Sequence, residues 1–245
     1  MDKSFEVKYF ELEEKSWWCQ ARRDMIIRLI KSLRTDNNSR MLEIGCSGGT
    51  LTKLLQQAGF KNVYGIDNSK TAIELCRKKG LKNVFVMDGE KTRFKNNEFD
   101  LVIASDILEH IKKDNSALKE WQRILKPNGT LLVFVPAFKF LWSEHDYHNR
   151  HYRRYTKKKL IEALESADFN IERASYWNFT LFFPAGMVRA LQNIFLRKKA
   201  QSFSKLYEIN PVINSAIVRL LKLENRFLRI INFPAGISVF AVARK

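Results

Sequence analysis

A buried strand that runs directly into a glycine-rich turn constrains the fold of this chain more than any other feature. The stretch at 41–50 reads Met-Leu-Glu-Ile-Gly-Cys-Ser-Gly-Gly-Thr, and an amphipathic helix is predicted over 51–58. Glycine suits such a turn because the backbone needs unusual dihedral angles and comes close to a ligand. The helix that follows leaves free N–H groups facing the same place. We therefore expect a small-molecule site at the carboxyl edge of a parallel sheet.

Acidic residues follow the next two predicted strands. Asp67 ends the strand at 62–67 and lies 24 residues after Glu43, where a doubly wound sheet places a ribose-binding carboxylate. A carboxylate suits that role because it accepts hydrogen bonds well from two hydroxyl groups. Asp88 comes directly after the strand at 83–87. Two further strands are predicted at 99–103 and 130–135.

The order of these motifs over residues 40–136 resembles class I S-adenosylmethionine-dependent methyltransferases. In that family the first motif is usually an acid followed by three alternating glycines, whereas Ser47 stands here at the middle glycine and Gly48 at a normally free position. The resemblance implies S-adenosylmethionine as cofactor, with Asp88 on the adenine amino group and the Leu-Glu-His segment at 108–110 beside the methionine moiety. The implied cofactor-binding residues are Glu43, Gly45, Cys46, Ser47, Gly49, Asp67, Asn68, Asp88, Gly89 and Ser105.

Each of these residues also has a purely structural interpretation. An aspartate after a strand often serves only as a helix N-cap, which for Asp67 alone is an equal alternative. At Cys46 the turn requires only a small residue. The joint order of acid, glycines and two further acids at successive strand ends favours the binding site.

The resemblance also implies an α/β fold: a doubly wound, seven-stranded, mostly parallel sheet of the Rossmann-like methyltransferase type. Such enzymes end with a sixth strand and an antiparallel seventh, which we predict at 169–176 and 236–244 after a helix at 157–167. Roughly sixty residues separate these two strands where a hairpin is usual, so we predict an α-helical insertion between strands 6 and 7, of the kind that often serves substrate recognition. The chain is thus expected to be one domain over 1–245, with a helical cap at about 1–38, a core at about 39–176 and 235–245, and the insertion at about 177–234.

The insertion contains two amphipathic helical patterns. The first begins at Pro184, carries apolar residues at helical spacing and closes with cations at 197–199. The second, at 212–231, places Ile213, Ile217, Leu220, Leu221, Leu228 and Ile231 amid Arg219, Lys222, Arg226 and Arg229. Pro184, Gly186 and Arg189 argue against a membrane-spanning helix. Contact with an anionic membrane surface and packing as a lid, on each other or on a dimer partner, are equal alternatives.

Charge is distributed unevenly along the chain. The net charge is +17, and residues 151–245 hold 17 Lys and Arg against 6 Asp and Glu. This asymmetry implies an anionic partner: nucleic acid, acidic lipid or a phosphorylated substrate. Three widely spaced cysteines form no disulfide framework, and the N-terminus has no apolar run of a secretory signal. We expect a cytoplasmic location, with the alternative of the periphery of the inner membrane face.

A histidine-rich loop follows the fifth predicted strand. A neutral histidine held by a carboxylate is a natural general base for a hydroxyl acceptor, so we predict catalytic roles for His145 with Asp146, or for His148. Arg150, Arg153 and Arg154 are candidates for binding phosphate or carboxylate on the acceptor. A structural role for this loop is an alternative, and no metal is predicted because no cysteine or clear carboxylate trio joins the histidines. A methyltransferase subgroup with a Trp-Trp pair near its start has a similar loop.

The sequence therefore predicts methyl transfer from S-adenosylmethionine to an oxygen or nitrogen atom of a small or lipid-linked, anionic acceptor. Methylation of RNA draws on the same positive charge, but no RNA-binding module is evident, and the Asn/Asp-Pro-Pro-Tyr motif is missing after the fourth strand. A non-catalytic S-adenosyl-ligand-binding or membrane-surface scaffold is the alternative from another class. The sequence leaves the oligomeric state open.

Overall fold

The computed structural model describes residue 10 and residues 12–33, 35–195 and 210–245. The predicted cations at 197–199 lie outside the described residues. Within these stretches, no helix combines the length and the apolar character that crossing a membrane requires.

Seven strands form one sheet in the order β3-β2-β1-β4-β5-β7-β6, and β7 runs antiparallel to both of its neighbours. The other neighbouring strands pair in parallel, which confirms the predicted Rossmann-like class. The strands are β1 (Arg40–Ile44), β2 (Asn62–Asp67), β3 (Val84–Val86), β4 (Phe99–Ser105), β5 (Leu125–Pro136), β6 (Asn170–Trp177) and β7 (Ser238–Arg244).

Both faces of the sheet are covered, because alternate residues of the central strands point to opposite sides. Along β4, Val102 and Ala104 join one apolar cluster, whereas Leu101 and Ile103 join the other. Helices α4 and α6 pack in the first cluster, and α1, α2 and α8 in the second. The helices are α1 (Trp17–Ser32), α2 (Thr50–Gln57), α3 (Lys70–Lys78), α4 (Asp114–Ile124), α5 (Glu144–His148), α6 (Lys157–Glu165), α7 (Phe182–Phe195) and α8 (Pro211–Phe227).

Strand β5 begins earlier than its apolar pattern predicts. The prediction starts at residue 130, but Leu125 already pairs with Phe99 of β4. The register shifts between Phe99 and Leu101, where the Lys-Pro-Asn-Gly segment 126–129 bulges from the ladder. A bulge of this kind breaks the alternation that a sequence pattern relies on.

The insertion contributes a helix that packs against the N-terminal helix, a contact that none of its alternatives had named. Helix α8 packs against α1: Asn225 Nδ2 donates to the backbone oxygen of Ala21 at 3.0 Å and to Asp24 Oδ2 at 2.9 Å. At the other end of α8, Asn214 Oδ1 accepts from the backbone N–H of Trp17 at 2.9 Å. The division into cap, core and insertion stays a prediction. The contact between α8 and α1 connects the predicted insertion to the predicted cap.

Candidate active site

A cavity of about 1220 Å³ opens at the carboxyl ends of the parallel strands. Its walls come from the glycine turn after β1, the end of β2, the segment after β4, the loop around α5, and parts of α1 and α7. Of the predicted site residues, those that line it are Glu43, Gly45, Cys46, Ser47, Asp67, Asn68, Ser105, His145 and His148. The others, which are not in its lining, are Gly49, Asp88, Gly89 and Asp146.

The turn after β1 has the backbone conformation that its glycines predict. Gly45 and Gly49 have φ of 72° and 75°, and Gly49 forms the N-cap of α2. A Cβ atom at Gly45 would lie 2.0 Å from Ile107 Cδ1, so no side chain fits there without a shift. Ser47, which stands at the usual glycine position, also has positive φ, at 49°. This conformation explains why glycine is favoured at that position.

Asp67 holds the turn in place from the end of β2. Its Oδ2 atom accepts the backbone N–H of Ser47 at 2.9 Å, and Oδ1 accepts that of Ser69 at 2.9 Å. An ionised carboxylate has about four acceptor positions, so these bonds leave capacity for ligand hydroxyl groups. Asp67 is therefore fixed in orientation and still lines the cavity.

Glu43 is a buried carboxyl group at the base of the turn. It is 8% exposed and accepts a hydrogen bond from Thr52 Oγ1. Burial raises the pKa of Glu43 to about 8, although the hydrogen bonds from Thr52 oppose this shift. Glu43 therefore reaches the cavity with a buried carboxyl group. A positive charge nearby would favour the ionised form of that group.

Asp88 and Gly89 do not join the cavity lining. Asp88 is exposed, and its Oδ1 atom accepts the backbone N–H of Glu90 at 2.8 Å in a local turn. The carbonyl of Gly89 accepts from Trp121 Nε1 at 2.9 Å, which ties this loop to α4. The predicted convergence of three carboxylates is thus limited to Glu43 and Asp67.

The side of the cavity formed by α1 is closed by an arginine among aromatic rings. Arg22 is buried, and its Nη1 lies 3.0 Å from Asp106 Oδ2. The guanidinium carbon lies 4.3 Å from the ring centroid of Trp177 and 5.1 Å from that of Trp18. Its Nη2 donates to Ser238 Oγ at 2.7 Å. Arg22 therefore links α1 to the ends of β4 and β7, besides lining the cavity.

The predicted pairing of His145 with Asp146 is wrong. Asp146 is completely buried, and its Oδ1 accepts from His151 Nδ1 at 2.9 Å and from Arg154 Nε at 2.8 Å. Its Oδ2 accepts from Arg154 Nη2 at 2.9 Å and from the N–H and hydroxyl of Ser143 at 2.8 and 2.9 Å. Adjacent residues of a short helix point in different directions, and only the returning chain brings a histidine to this carboxylate.

The electrostatics of this network follow from those contacts. Burial alone would raise the pKa of Asp146, but the hydrogen bonds from His151 and Arg154 hold it well below its ordinary value. Asp146 is thus a fixed anion that positions His151 and does not itself face the cavity. The histidine held by a carboxylate is His151, which lines the cavity and which sequence reasoning left without a role.

His145 and His148 lie on α5 beside the same space. Asn149 Nδ2 lies 2.9 Å from Nε2 of His145, and the ring centroids of His145 and His151 are 6.0 Å apart. Burial lowers the pKa of His145 to about 4, and the neighbouring His151 adds to this effect. His145 is consequently neutral at physiological pH.

The arginines of the loop divide into different roles. Arg154 pairs with the buried Asp146, and Arg153 Nη1 lies 2.6 Å from Asp114 Oδ2. Both guanidinium groups are therefore already engaged by carboxylates. Arg150 is exposed, lines the cavity and makes no ion pair with the residues that the structure describes. Of the three, Arg150 is the one available to an anionic ligand.

The structure adds lining residues to which the sequence assigned no chemical role. Glu13 accepts from Ser47 Oγ at 2.6 Å, and Glu109 is completely buried at the cavity wall. Part of α7 also lines the space, through Pro184, Val188 and Arg189. The order of the motifs predicted that segment 108–110 would lie near the ligand, but it gave Glu109 no chemical role.

Comparison with known proteins agrees with this architecture. Residues 42–133 match the model of a methyltransferase domain. The chain is 26% identical over 145 residues to the ubiquinone biosynthesis O-methyltransferase of Actinobacillus pleuropneumoniae, covering 51% of this chain and 62% of that protein. The chain thus spans about three fifths of the length of such curated relatives.

Two solved structures show the same fold. One is the complex between the Haloferax volcanii Trm112 methyltransferase activator and a methyltransferase, with a TM-score of 0.64 and 14% identity, covering 98% of this chain and 94% of that chain. The other is phosphoethanolamine N-methyltransferase 2 of Haemonchus contortus in complex with S-adenosyl-L-methionine, with a TM-score of 0.59 and 21% identity, covering 90% of this chain and 52% of that chain.

Proposed function

Because this chain belongs to the class I S-adenosylmethionine-dependent methyltransferases, we propose that it transfers a methyl group from that cofactor to an oxygen atom of a small, anionic acceptor. The observation that carries the proposal is one continuous cavity with a glycine-turn site at one end and a histidine cluster at the other. Methyl transfer is an in-line displacement, so donor and acceptor must share one space. The curated relatives that are named O-methyltransferases support oxygen as the acceptor atom.

The residues of the glycine turn fit S-adenosylmethionine. Positive φ at Gly45 and the absence of a Cβ there bring the backbone close to a ligand. Asp67 would accept hydrogen bonds from the ribose hydroxyls, and the buried Glu43 would favour a positively charged ligand nearby. The cofactor, when bound, supplies an electrophilic methyl group. Arg22 and Trp18 of α1 line the opposite side of the cavity from the glycine turn.

His145 and His148 are the proposed proton acceptors. Removing the hydroxyl proton as the oxygen attacks lowers the barrier, and this usually contributes about 10²–10⁴ in rate. His145 is neutral at physiological pH and lines the cavity. Asp146 contributes as a positioning residue through His151 and Arg154. Arg150, exposed at the same wall, would bind a carboxylate or phosphate on the acceptor.

A labelled methyl donor tests the reaction. Cell extract incubated with the protein and the donor is separated into lipid, small-molecule and RNA fractions, and label is expected in one of the first two. The His145→Ala variant should bind cofactor unchanged in isothermal titration but turn over at least tenfold more slowly, with His148→Ala as its partner variant. Label in RNA would favour RNA methylation. Cofactor binding with no labelled fraction would favour the scaffold alternative.

We further propose that α8 docks on an anionic membrane surface, which would bring the cavity to a lipid-linked acceptor. At about 100° per residue, the side chains of α8 divide into three adjacent faces. The buried face includes Leu221 and Asn225, which pack toward α1 and β6. The second face is apolar and exposed: Val212, Ile213, Leu220, Leu223 and Phe227. The third is exposed and cationic: Arg219, Lys222 and Arg226.

An apolar face beside a cationic face suits the interface of an anionic bilayer. The side chain of Phe227 is 55% exposed, and the other side chains of this face are also apolar and exposed. The positive charge is complementary to acidic headgroups, and the net charge of +17 adds to this attraction. This proposal favours membrane contact over the dimer alternative for this helix.

Sedimentation with vesicles of phosphatidylglycerol and phosphatidylcholine tests the docking. The protein should sediment with mixed vesicles at low salt and weakly with phosphatidylcholine alone. The double variant Lys222→Gln, Arg226→Gln should lose binding to the mixed vesicles. The matched control Lys158→Gln, Lys159→Gln removes the same charge from α6, and it should keep binding. Equal binding by both double variants would contradict the proposal.

A further inference from the structure

Glu109 is a buried carboxyl group that the folded chain leaves unused. It belongs to the short 3-10 helix Leu108–His110 after β4, and it is 0% exposed. Neither carboxylate oxygen has a hydrogen-bond partner among the residues that the structure describes. A buried polar group without a partner destabilises the folded state, and more so when it is charged. Because Glu109 lines the cavity, its partner is expected to be a ligand there.

Two histidines bring ring nitrogens to the same place. One ligand atom each of Glu109, His110 and His151 lie within 4.8 Å of one another. The two imidazole rings are perpendicular, with centroids 4.5 Å apart. His110 is adjacent to Glu109 in sequence, whereas His151 comes from the loop after α5. Three potential donor atoms of the type that bind metal ions therefore converge on the cavity wall.

One of the two rings is held from behind by a group that fixes which nitrogen faces the other ligands. His151 Nδ1 donates to the buried Asp146 at 2.9 Å, which leaves the lone pair on Nε2. Metal-binding histidines almost always donate their second ring N–H to a carboxylate or carbonyl in this way. The contact behind His151 therefore supports a metal site independently of the three ligand atoms.

We propose that Glu109, His110 and His151 bind one divalent transition-metal ion of the zinc class, with an open coordination position toward the cavity. Two imidazoles and one carboxylate are a donor set of catalytic zinc sites, which keep a position for water or substrate. Ligand distances of about 2.0–2.2 Å require the three groups to move together slightly. Resting on the proposed function, the ion would coordinate the acceptor oxygen and favour its ionised form before attack.

The site competes with a simpler occupant, an ammonium group of the acceptor beside Glu109. A metal ion is favoured because it uses lone pairs of both imidazoles as well as the carboxylate. An ammonium ion would satisfy Glu109 without any need for the Asp146 contact behind His151. The sequence gave no signal for this site, since its ligands are separated by about forty residues and no cysteine accompanies them.

Metal binding is tested without the cofactor and without methyl transfer. The protein is dialysed against a chelator, then titrated with Co²⁺ followed by visible absorption, and with Zn²⁺ followed by calorimetry. One ion per chain is expected. Glu109→Gln and His151→Ala should weaken binding at least tenfold, the size of effect known even for residues behind the ligands. His148→Ala is the matched control, because it removes another histidine of the cavity and should leave metal affinity unchanged.

Glu109→Gln has nearly the shape of the native side chain, so it tests the site even if His151→Ala fails to fold. Thermal unfolding by circular dichroism checks both variants. Equal metal affinity in the native protein and in folded Glu109→Gln would overturn the inference. Stoichiometric metal binding without methyl transfer would contradict only the proposed function. Methyl transfer by a metal-free protein that binds no Co²⁺ would contradict only the metal site.

Discussion

The two ends of the cavity are formed by different parts of the polypeptide, backbone at one end and side chains at the other. The cofactor end is mainly backbone: one segment from Glu43 to Asp67 supplies a glycine turn, a helix N-terminus and two carboxylates. The acceptor end consists of side chains from separate segments, including the 3-10 helix 108–110, the loop around α5 and the start of α7. A backbone site leaves a local sequence pattern, whereas a side-chain site becomes visible only when the fold brings its parts together.

The largest predicted effect comes from removing the buried carboxylate of Asp146 at the acceptor end. Asp146→Ala leaves the charge of Arg154 buried without its carboxylate partner, since the arginine side chain is 8% exposed. Removing one partner of a buried pair costs about 3–5 kcal/mol. Urea unfolding measures this loss in the free energy of unfolding. Glu172→Ala breaks an exposed pair with Arg244 and should cost no more than about 1 kcal/mol.

The second prediction concerns pH and the cofactor end. Glu43 has a folded pKa of about 8 against an ordinary value of 4.5. Between these values the folded state binds more protons than the unfolded state, so stability is fullest at low pH and falls as pH rises. The loss between pH 5 and pH 8 should be about 3 kcal/mol, and Glu43→Gln should abolish it. Parallel pH dependences of the two proteins would contradict the burial of an ionisable Glu43.

The third prediction separates two carboxylates that the sequence treated alike. Asp67→Ala should weaken S-adenosylmethionine binding by about 2 kcal/mol, roughly thirtyfold, because hydrogen bonds to a charged group are lost. Asp88→Ala should change affinity less than about twofold, since Asp88 is exposed and not in the cavity lining. Calorimetric titration of both variants measures the difference. Equal losses would restore Asp88 as a cofactor ligand.

The smallest effect compares two glycines that share a backbone conformation. Gly45 and Gly80 have φ of 72° and 85°, so alanine is strained at either position. Only at Gly45 does the added Cβ meet another group, at 2.0 Å from Ile107; at Gly80 it meets nothing within 4 Å. Gly80→Ala should cost about 1 kcal/mol in stability, and Gly45→Ala should cost more because Ile107 must also shift. Gly45→Ala alone should also weaken cofactor binding, and an equal effect of Gly80→Ala on binding would argue against a direct role for the turn.

The sequence predicted the fold well because the signals are local and repeated. Strand β2 matches its prediction at both ends, and β7 runs antiparallel beside β6 as the resemblance implied. Local signals of the same kind placed Glu43, Gly45 and Asp67 near one another, and all three line the cavity. Each of them sits at a strand end, where the chain direction fixes its place in a parallel sheet.

The acceptor end was predicted only in outline. The loop with His145 was recognised, but the partner of Asp146 depends on where the chain returns after α5, and no periodicity encodes that return. Glu109 was recognised in the sequence as part of a motif, but not as a buried carboxyl group without a hydrogen-bond partner. Burial and hydrogen-bond satisfaction are properties of the packed molecule, so a list of residue types does not reveal them.

The position of β7 has a consequence for how the molecule forms during synthesis. Among the described residues, strand β6 joins the sheet through β7 alone, and β7 follows the six other strands in sequence. When β5 and β6 have both left the ribosome, no hydrogen bonds pair them with each other. The segment with α7 and α8 must emerge before β7 can pair with both strands. A truncation before Ser238 would therefore leave two open strand edges, a state prone to aggregation.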